Sequence, residues 1–234
     1  MEKIIAIVQS NYIPWKGYFD FINKVDEFIL FDDVQYTRRD WRNRNKIKTQ
    51  QGLSWLTVPV NVKGKYHQLI KDTTVNEADK WPEKHWNSLR HAYGKTPCFS
   101  EFEGVFQSLY EEIKGDSHLS IINRKFIETI NAILGINTKI SWSSDYTIVE
   151  GKNERLIELC KQAGGTHYIS GPAAKHYIEE SKFDQASLKL SWMEYSGYPE
   201  YEQPYLPFEH GVTILDLIFS VGKDAPAYML TFDK

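Results

Sequence analysis

The sequence predicts an α/β fold with a mostly parallel sheet. Short apolar runs near both ends of the chain alternate with segments whose apolar residues have helical spacing, which is typical of parallel strands joined by crossover helices. The run 4–8 is apolar at every position, as in a strand that is covered on both faces. The central stretch 81–134, in contrast, has helical spacing throughout. We therefore expect strand–helix units at both ends and an inserted helical segment between them.

The composition excludes several classes of protein. The 234 residues carry a formal net charge of −3, whereas nucleic-acid-binding proteins usually have a basic surplus. The two cysteines, Cys98 and Cys160, have a spacing that fits neither a disulfide framework nor a metal site. No stretch approaches the roughly 18 apolar residues of a membrane helix. We expect a cytoplasmic protein that folds as a single α/β domain over 1–234, with no membrane span and no nucleic-acid partner.

The N-terminal residues predict a β-α-β unit. A loop containing Pro14 separates the strand 4–8 from a helix over 17–22. A second buried strand follows over 28–31 and ends at two aspartates. Because such a crossover is right-handed and joins parallel strands, both strands place their carboxyl ends at the same edge of the sheet.

Two insertions are expected between this unit and the rest of the sheet. Residues 43–76 contain alternating apolar residues on both sides of Gly52, which predicts a β-hairpin, and 73–75 predicts a further short strand. Within 81–134 three apolar helical faces follow one another, and Gly135 is the expected end of the last helix. This helical stretch is predicted to be an insertion or a lid.

The remaining chain returns to alternating strands and helices. Strands are predicted over 138–142, 167–170 and 188–193, and helices over 153–163, 172–180 and 214–221. Together with the N-terminal unit they predict a Rossmann-like, mostly parallel sheet with helices on both faces. Ligands of such folds bind at the carboxyl ends of the strands. We therefore expect the site on a rim formed by 9–18, 32–46 and 170–177.

An arginine cluster on this rim predicts an anion site. Four of the seven arginines lie between positions 38 and 44, and a guanidinium group can bind phosphate or carboxylate oxygens through two parallel hydrogen bonds. From the alternation of the segment we expect Arg39, Asn43 and Arg44 to face the ligand. Tyr36 and Trp41 are expected to stack on a base or sugar. The alternative is a solvated basic loop that pairs with surface acids.

The first loop, which precedes the first helix, is the second predicted part of the site. Backbone N–H groups at the N-terminus of a helix attract anions. The binding residues predicted in this loop and helix start are Gln9, Asn11, Tyr12, Trp15 and Gly17. Rossmann-like nucleotidyltransferases carry His-x-Gly-His at this place, whereas this sequence reads Trp-x-Gly-Tyr. The missing histidines argue against nucleotidyl transfer.

The candidates for proton transfer are Asp32, Asp33 and His85. Carboxylates and imidazoles are the usual general bases. Adjacent side chains on a strand point to opposite sides, so at most one of the two aspartates faces the site. The structural alternatives are an ion pair or helix cap for the aspartates and a buried structural role for the histidine.

Further binding residues are predicted after the strand 167–170. Ser170 and Gly171 form a strand-to-helix step that offers a hydroxyl and free N–H groups, and Tyr177 lies on the helix that follows. Tyr93, on the helix of the candidate histidine, completes the set. The alternative for Ser170 is ordinary capping of its helix.

The residues singled out above occur together in a known family. The motifs that carry the resemblance are Gln9-x-Asn11-Tyr12-x-Pro14-x-x-Gly17-Tyr18-Phe19, Asp32-Asp33-Val34-Gln35-Tyr36, Asn43-Arg44-Asn45, Val58-Pro59-Val60 and Ile214-Leu215-Asp216-Leu217. In these motifs, and over nearly the whole chain, the sequence resembles the WbqC-like protein family. The resemblance implies a bacterial protein associated with O-antigen or other surface polysaccharides. It also implies that some relatives attach acyl or aminoacyl groups, such as glycine, to amino sugars.

These observations lead to an expected function with two alternatives. We expect an enzyme of glycan biosynthesis that transfers an acyl or aminoacyl group to the amine of a nucleotide-linked deoxy-amino sugar. Arg39 and Arg44 would hold phosphate groups. The donor would be a carrier-protein thioester or coenzyme A, with an acyl carrier protein as a partner and no metal or tightly bound cofactor. The alternatives are a nucleotidyl or phosphoryl transferase and a non-catalytic protein that binds a sugar nucleotide.

Overall fold

A five-stranded parallel sheet lies at the centre of the computed structural model, which describes residues 2–76 and 79–232. The strands are β1 (Ile4–Val8), β2 (Glu27–Leu30), β3 (Arg44–Thr49), β4 (Gly52–Thr57), β5 (Lys139–Trp142), β6 (His167–Ser170) and β7 (Lys189–Trp192). The sheet has the order β5-β2-β1-β6-β7, and every neighbouring pair is parallel. β3 and β4 form a separate antiparallel hairpin. The predicted α/β class is confirmed.

Within the described residues, seven α-helices connect or cover these strands. They are α1 (Lys16–Asn23), α2 (Trp81–Tyr93), α3 (Phe99–Glu112), α4 (Leu119–Leu134), α5 (Lys152–Gln162), α6 (Glu180–Gln185) and α7 (Leu215–Val221). α4 ends at Gly135, whose φ of 72° is left-handed, as the predicted C-terminal glycine requires. Within 2–76 and 79–232, no helix has the length and apolarity needed to cross a bilayer.

The two faces of the sheet belong to two hydrophobic cores. On β1, Ala6 packs into the core with α1, α4 and α7, while its neighbours Ile5 and Ile7 pack into the core with α5 and α6. On β2, Phe28 packs into the first core and Ile29 into the second. Successive side chains of a strand point to opposite faces, so a strand covered on both sides is apolar at every position, as the run 4–8 is.

The hairpin and the central helices share the first of these cores. Ile47 of β3, Phe106 of α3 and Phe126 of α4 are almost fully buried there, in the same cluster as Phe28 of the sheet. The stretch 81–134 therefore packs onto the sheet through its own apolar faces. The role of this stretch as a lid stays a prediction.

Two predicted elements differ from the structure. The helix predicted over 172–180 is a 3₁₀ turn, Pro172–His176, followed by the separate helix α6. The amide of Asn153 donates to the Tyr177 carbonyl (3.2 Å) and accepts from the Glu179 N–H (3.0 Å), so these backbone groups bond to a side chain instead of a helical ladder. The strand predicted over 73–75 is reduced to two single bridges, because successive residues there pair with different segments.

The strand order reverses beside β1. The chain first runs outward through β2 to β5 and then returns to the other side of β1 to form β6 and β7. The connections that leave the carboxyl ends of β1 and β6 thus run in opposite directions. A crevice at such a reversal is the usual ligand site of an open parallel sheet.

Candidate functional site

A cavity of about 560 Å³ opens at this reversal. Its floor contains the end of β1, with Val8 and Gln9, and the end of β6, with Ser170 and Gly171. We call it the switch-point cavity. Its volume lies in the range of about 300–1,000 Å³ that small-molecule sites occupy.

Aromatic side chains form the walls of the switch-point cavity. Trp15 and Tyr195 are in ring contact, with their centroids 5.4 Å apart, and both line it, as does the half-exposed Tyr177. Gly17 makes this arrangement of Trp15 possible, because a Cβ at position 17 would lie 2.3 Å from the indole ring. The walls can therefore stack on the face of a base or a sugar.

Two basic side chains from the start of α5 also line the cavity. Arg155 donates from Nε to the Val149 carbonyl (3.0 Å), which anchors the side chain. Within the described part of the chain, its two terminal nitrogens and the Lys152 ammonium have no hydrogen-bond or ion-pair partner. The helix N-terminus is itself occupied, because the Glu154 carboxylate pairs with Lys182 at 2.8 Å and accepts from the backbone N–H groups of Glu154 and Asn153. The charge offered to a ligand is therefore that of Lys152 and Arg155.

The switch-point cavity differs from a general acid–base site. Among the described residues that line it there is no carboxylate, imidazole or thiol. Burial raises the pKa of the Tyr177 phenol, which keeps that hydroxyl protonated near neutral pH. The lining fits recognition of an anionic, partly aromatic ligand better than it fits proton transfer by the protein.

The predicted aspartates lie outside this cavity. Asp32 is buried and accepts hydrogen bonds from the Ser10 N–H (2.9 Å) and the Ser120 hydroxyl. Asp33 accepts from the Ser143 hydroxyl (2.6 Å) and pairs with Lys71. Burial is the main cause that raises the pKa of Asp32. Asp32 thus links the loop after β1 to the start of α4, and Asp33 bonds to the segment that follows β5.

The other predicted residues of the central helices are also buried away from the cavity. His85 Nδ1 lies 2.8 Å from the hydroxyl of Tyr12, which in turn lies 2.8 Å from the hydroxyl of Tyr110. The Tyr93 hydroxyl donates to Asp216 at 2.9 Å. These hydrogen bonds satisfy polar groups inside the core, and none of the four lines a described cavity.

The arginine cluster has a different orientation from the one predicted. Arg42 turns inward and donates to the Gln9 carbonyl (3.3 Å) and to the Asn11 side chain. Arg39 is exposed, and its φ of 59° interrupts the alternation on which the prediction depended. Arg44 lies over the ring of Trp55 at 4.1 Å and donates to the Arg39 carbonyl. Neither Arg39 nor Arg44 lines the switch-point cavity.

Asn43 and Tyr36 of the same segment are buried. The Asn43 amide donates to the Val58 carbonyl at 2.8 Å, and the Tyr36 N–H donates to the Gln68 carbonyl at 2.9 Å. Both residues therefore hold the hairpin and its neighbouring loop in place. They do not line a described cavity.

A second cavity of about 350 Å³ lies on the other side of Trp15. Its lining residues are Asn11, Pro14, Trp15, Trp41, Asn45, His210 and Gly211. Trp15 is thus a wall of both cavities. Some of the predicted binding residues line these cavities: Gln9, Ser170, Gly171 and Tyr177 line the first, and Asn11 and Trp41 line the second.

Comparison with known proteins identifies the family. The profile of the WbqC-like protein family matches residues 9–228. The chain belongs to the WbqC-like protein family. Over 227 residues it is 49% identical to the uncharacterized protein Rv1507c of Mycobacterium tuberculosis strain H37Rv, an alignment that covers 97% of each chain. No solved structure matches the chain significantly.

In this WbqC-like protein, the cavity-lining residues that sequence reasoning missed include Lys152, Arg155, Tyr195 and His210. A signal existed for Lys152 and Arg155. Basic side chains at the start of a helix interact unfavourably with the helix dipole. Their presence at the start of α5 therefore indicates a role other than stabilising the helix, such as binding an anion. Tyr195 and His210 lie in irregular segments, and no local pattern marks them.

Replacing Asp32 with Ala is expected to lower the free energy of unfolding by about 2 kcal/mol, because a buried N–H and a buried hydroxyl lose their acceptor. Urea denaturation of Asp32→Ala measures the loss. The matched control is Asp72→Ala, which removes an exposed carboxylate. Unchanged stability together with lost turnover would instead identify Asp32 as a catalytic base.

Proposed function

We propose that this WbqC-like protein binds a nucleotide-linked deoxy-amino sugar in the switch-point cavity and transfers an acyl or aminoacyl group, such as glycyl, to the sugar amine in bacterial glycan biosynthesis. The observation that carries the proposal is the pairing of aromatic walls with two uncommitted cations at the strand-order reversal. A sugar nucleotide has the complementary parts, namely a planar base, sugar faces and a diphosphate.

The cations account for the phosphate part of this ligand. Arg155 is anchored through Nε, so its terminal nitrogens are positioned to donate two hydrogen bonds to phosphate oxygens. Lys152, one turn earlier on α5, adds a second positive charge. Trp15 and Tyr195 account for the base or sugar part, because aromatic faces bury a large apolar area with little loss of conformational entropy.

The reaction proposed for the bound sugar is acyl transfer. The unprotonated amine attacks the carbonyl carbon of a thioester, the carbon–sulfur bond breaks, and the sulfur leaves with the bonding electrons. The proton lost by the nitrogen ends on the sulfur as a thiol. Holding both substrates side by side supplies much of the rate enhancement of such a reaction.

A non-catalytic sugar-nucleotide-binding protein is the second candidate. It is favoured by the absence of carboxylate, imidazole and thiol groups from the described lining of the switch-point cavity. The same observation weighs against nucleotidyl transfer, since no described residue of that lining is a histidine. Mass spectrometry of uridine- and thymidine-diphosphate amino sugars, incubated with the protein and acyl or aminoacyl thioesters, separates transfer from binding alone.

Binding of these amino-sugar nucleotides should raise the melting temperature of the protein, because a ligand of the native state stabilises it. Lys152→Met and Arg155→Met should each weaken the affinity by about 10- to 100-fold, the effect of losing one charged hydrogen-bond partner. Arg39→Ala is the matched control, since it removes an exposed arginine outside both cavities. Affinity that falls in the control but not in the two α5 variants would refute the proposed phosphate site.

A further inference from the structure

The charge of the chain is very unevenly distributed. Residues 36–71 contain nine of the 28 basic residues but only one of the 31 acidic residues, in a protein whose formal net charge is −3. This stretch includes the hairpin and the loops around it. The rest of the chain is correspondingly acidic, so the basic stretch is a local feature that suits an anionic ligand.

Two exposed tryptophans lie in the middle of this basic stretch. Trp41 and Trp55 are 41% and 42% exposed, and their ring centroids are 5.5 Å apart. Arg44 lies 4.1 Å from the centroid of Trp55, and the Lys46 ammonium lies 5.9 Å from that of Trp41. Within the described part of the chain, neither cation forms an ion pair with a carboxylate. The cations thus lie on aromatic faces, and against the opposing effect of burial a hydrogen bond from Thr37 together with the charges of Arg42 and Arg44 lowers the pKa of the neighbouring Asp40.

One tryptophan of this pair also lines the second cavity. Trp41 shares that lining with Trp15 and with the amide-bearing Asn11 and Asn45. His210 lines the same cavity, and its Nδ1 is buried without a hydrogen-bond partner within the described residues. Because Nδ1 is buried from solvent, a ligand in the cavity can reach the imidazole nitrogens only through Nε2.

We infer that the second cavity binds the acyl donor, a phosphate-bearing thioester of the phosphopantetheine class. Arg44 and Lys46 bind its phosphates beside Trp41, and its uncharged arm occupies the cavity between Trp41 and Trp15. The role of donor rests on the proposed function, whereas binding to this cavity does not. Because Trp15 lines both cavities, the thioester end of the donor and the sugar amine can meet beside the edge of its indole ring.

His210 then has a defined role in the transfer. Burial and the nearby Lys16 lower the pKa of its imidazole, which keeps the ring neutral at pH 7. With the ring hydrogen on Nδ1, the Nε2 nitrogen can accept the proton that the amine nitrogen loses when it attacks the thioester carbon. The same proton passes to the sulfur, which leaves as a thiol. In this way the second cavity supplies the proton acceptor that the described lining of the first one lacks.

Calorimetric titration with coenzyme A tests the site. We expect binding in the full-length protein, weakened about tenfold or more in Trp41→Ala and in the double variant Arg44→Ala/Lys46→Ala. Arg38→Ala is the matched control, because it removes an exposed arginine of the same stretch that donates to the Val62 carbonyl. A phosphopantetheine-loaded acyl carrier protein and its unloaded form are titrated in parallel. Binding of the loaded carrier, in preference to the unloaded one, with the same variant pattern identifies a carrier-borne source.

The titrations with coenzyme A and the loaded carrier decide whether the second cavity binds a phosphopantetheine donor. If neither coenzyme A nor the loaded carrier binds, or if the Trp41 and Arg44/Lys46 variants bind as well as the wild type, the inference is overturned. Lys152→Met and Arg155→Met should leave coenzyme A binding within about twofold, because distant sites act independently. Coenzyme A binding that persists when amino-sugar nucleotides do not bind at all would retain this site while rejecting the proposed function.

Discussion

The free energy of unfolding should fall by about 2 kcal/mol between pH 7.5 and pH 5, and by about 3 kcal/mol at pH 4, through protonation linked to His85 alone. Burial lowers the pKa of His85 from 6.5 to about 4. Between these two values the unfolded chain binds a proton that the folded protein does not bind. Stability is therefore fully present above pH 6.5 and is lost as the pH falls towards 4.

Burial explains this preference for the neutral ring. The Tyr110 hydroxyl can donate to Tyr12, and Tyr12 to His85 Nδ1, while the other ring nitrogen bonds to the Thr57 backbone. The hydrogen bond to Thr57 raises the pKa and offsets only part of the effect of burial. A charged ring in the core does not recover the hydration that it has in the unfolded chain.

Urea denaturation of the wild type and His85→Gln over this pH range measures the effect. The variant should lose about 2 kcal/mol less than the wild type between pH 7.5 and pH 5. Burial also lowers the pKa values of His167 and His210, but these residues are present in both proteins and cancel. His91→Gln, which changes an exposed histidine on the same helix, should keep the wild-type slope. Equal slopes for wild type and His85→Gln would contradict the assignment.

Replacing Asp216 with Ala should lower the free energy of unfolding by about 3–5 kcal/mol, because a fully buried carboxylate and its partners are separated. Asp216 accepts from Tyr93 (2.9 Å), Tyr201 (2.6 Å) and Gln203 (2.9 Å). Gln203 in turn accepts from the buried ammonium of Lys48 at 2.8 Å. The substitution leaves the Tyr93 and Tyr201 hydroxyls without this acceptor and removes one of the two carboxylates, the other being Glu209, whose charges act on Lys48.

This network also positions parts of both cavities. The segment that contains Tyr201 and Gln203 begins after Tyr195 of the switch-point cavity and leads to His210 of the second one. We therefore expect Asp216→Ala to weaken ligand binding as well as stability. Chemical denaturation and thermal-shift titration measure the two effects. Asp224→Ala, which changes an exposed aspartate of the next element, should stay within about 0.5 kcal/mol of the wild type, and a similarly small change in Asp216→Ala would refute the argument.

Local patterns in the sequence carry much of this architecture. Strands β1 and β6 lie where the apolar runs predict them, and α4 ends at the predicted Gly135. These features depend on spacing and on the backbone preference of a single residue, both of which can be read without tertiary contacts. The predicted helix over 172–180 failed because the deciding hydrogen bonds come from Asn153, a residue on another element.

For the candidate site, too, local patterns predict some features, and contacts between distant segments decide the others. Its position at the carboxyl ends of the strands follows from the α/β pattern, and Gln9, Ser170 and Gly171 lie there as that pattern predicts. Which side chains turn towards the cavity does not follow from the pattern. The alternation predicts that Arg39 turns inward, whereas Arg42 does so, because the left-handed φ of Arg39 shifts the alternation. Arg42 itself lines neither cavity.

By itself, then, the sequence determined the fold class, the family and the edge of the sheet at which the candidate site lies. The tertiary structure alone decided that Asp32 and His85 are core hydrogen-bonding groups and that Lys152, Arg155 and His210 line cavities. The physical reason is the range of the interactions involved. Strands and helices reflect neighbouring residues, whereas the burial and charge of a site residue depend on segments that lie far apart in the chain and meet only when it folds.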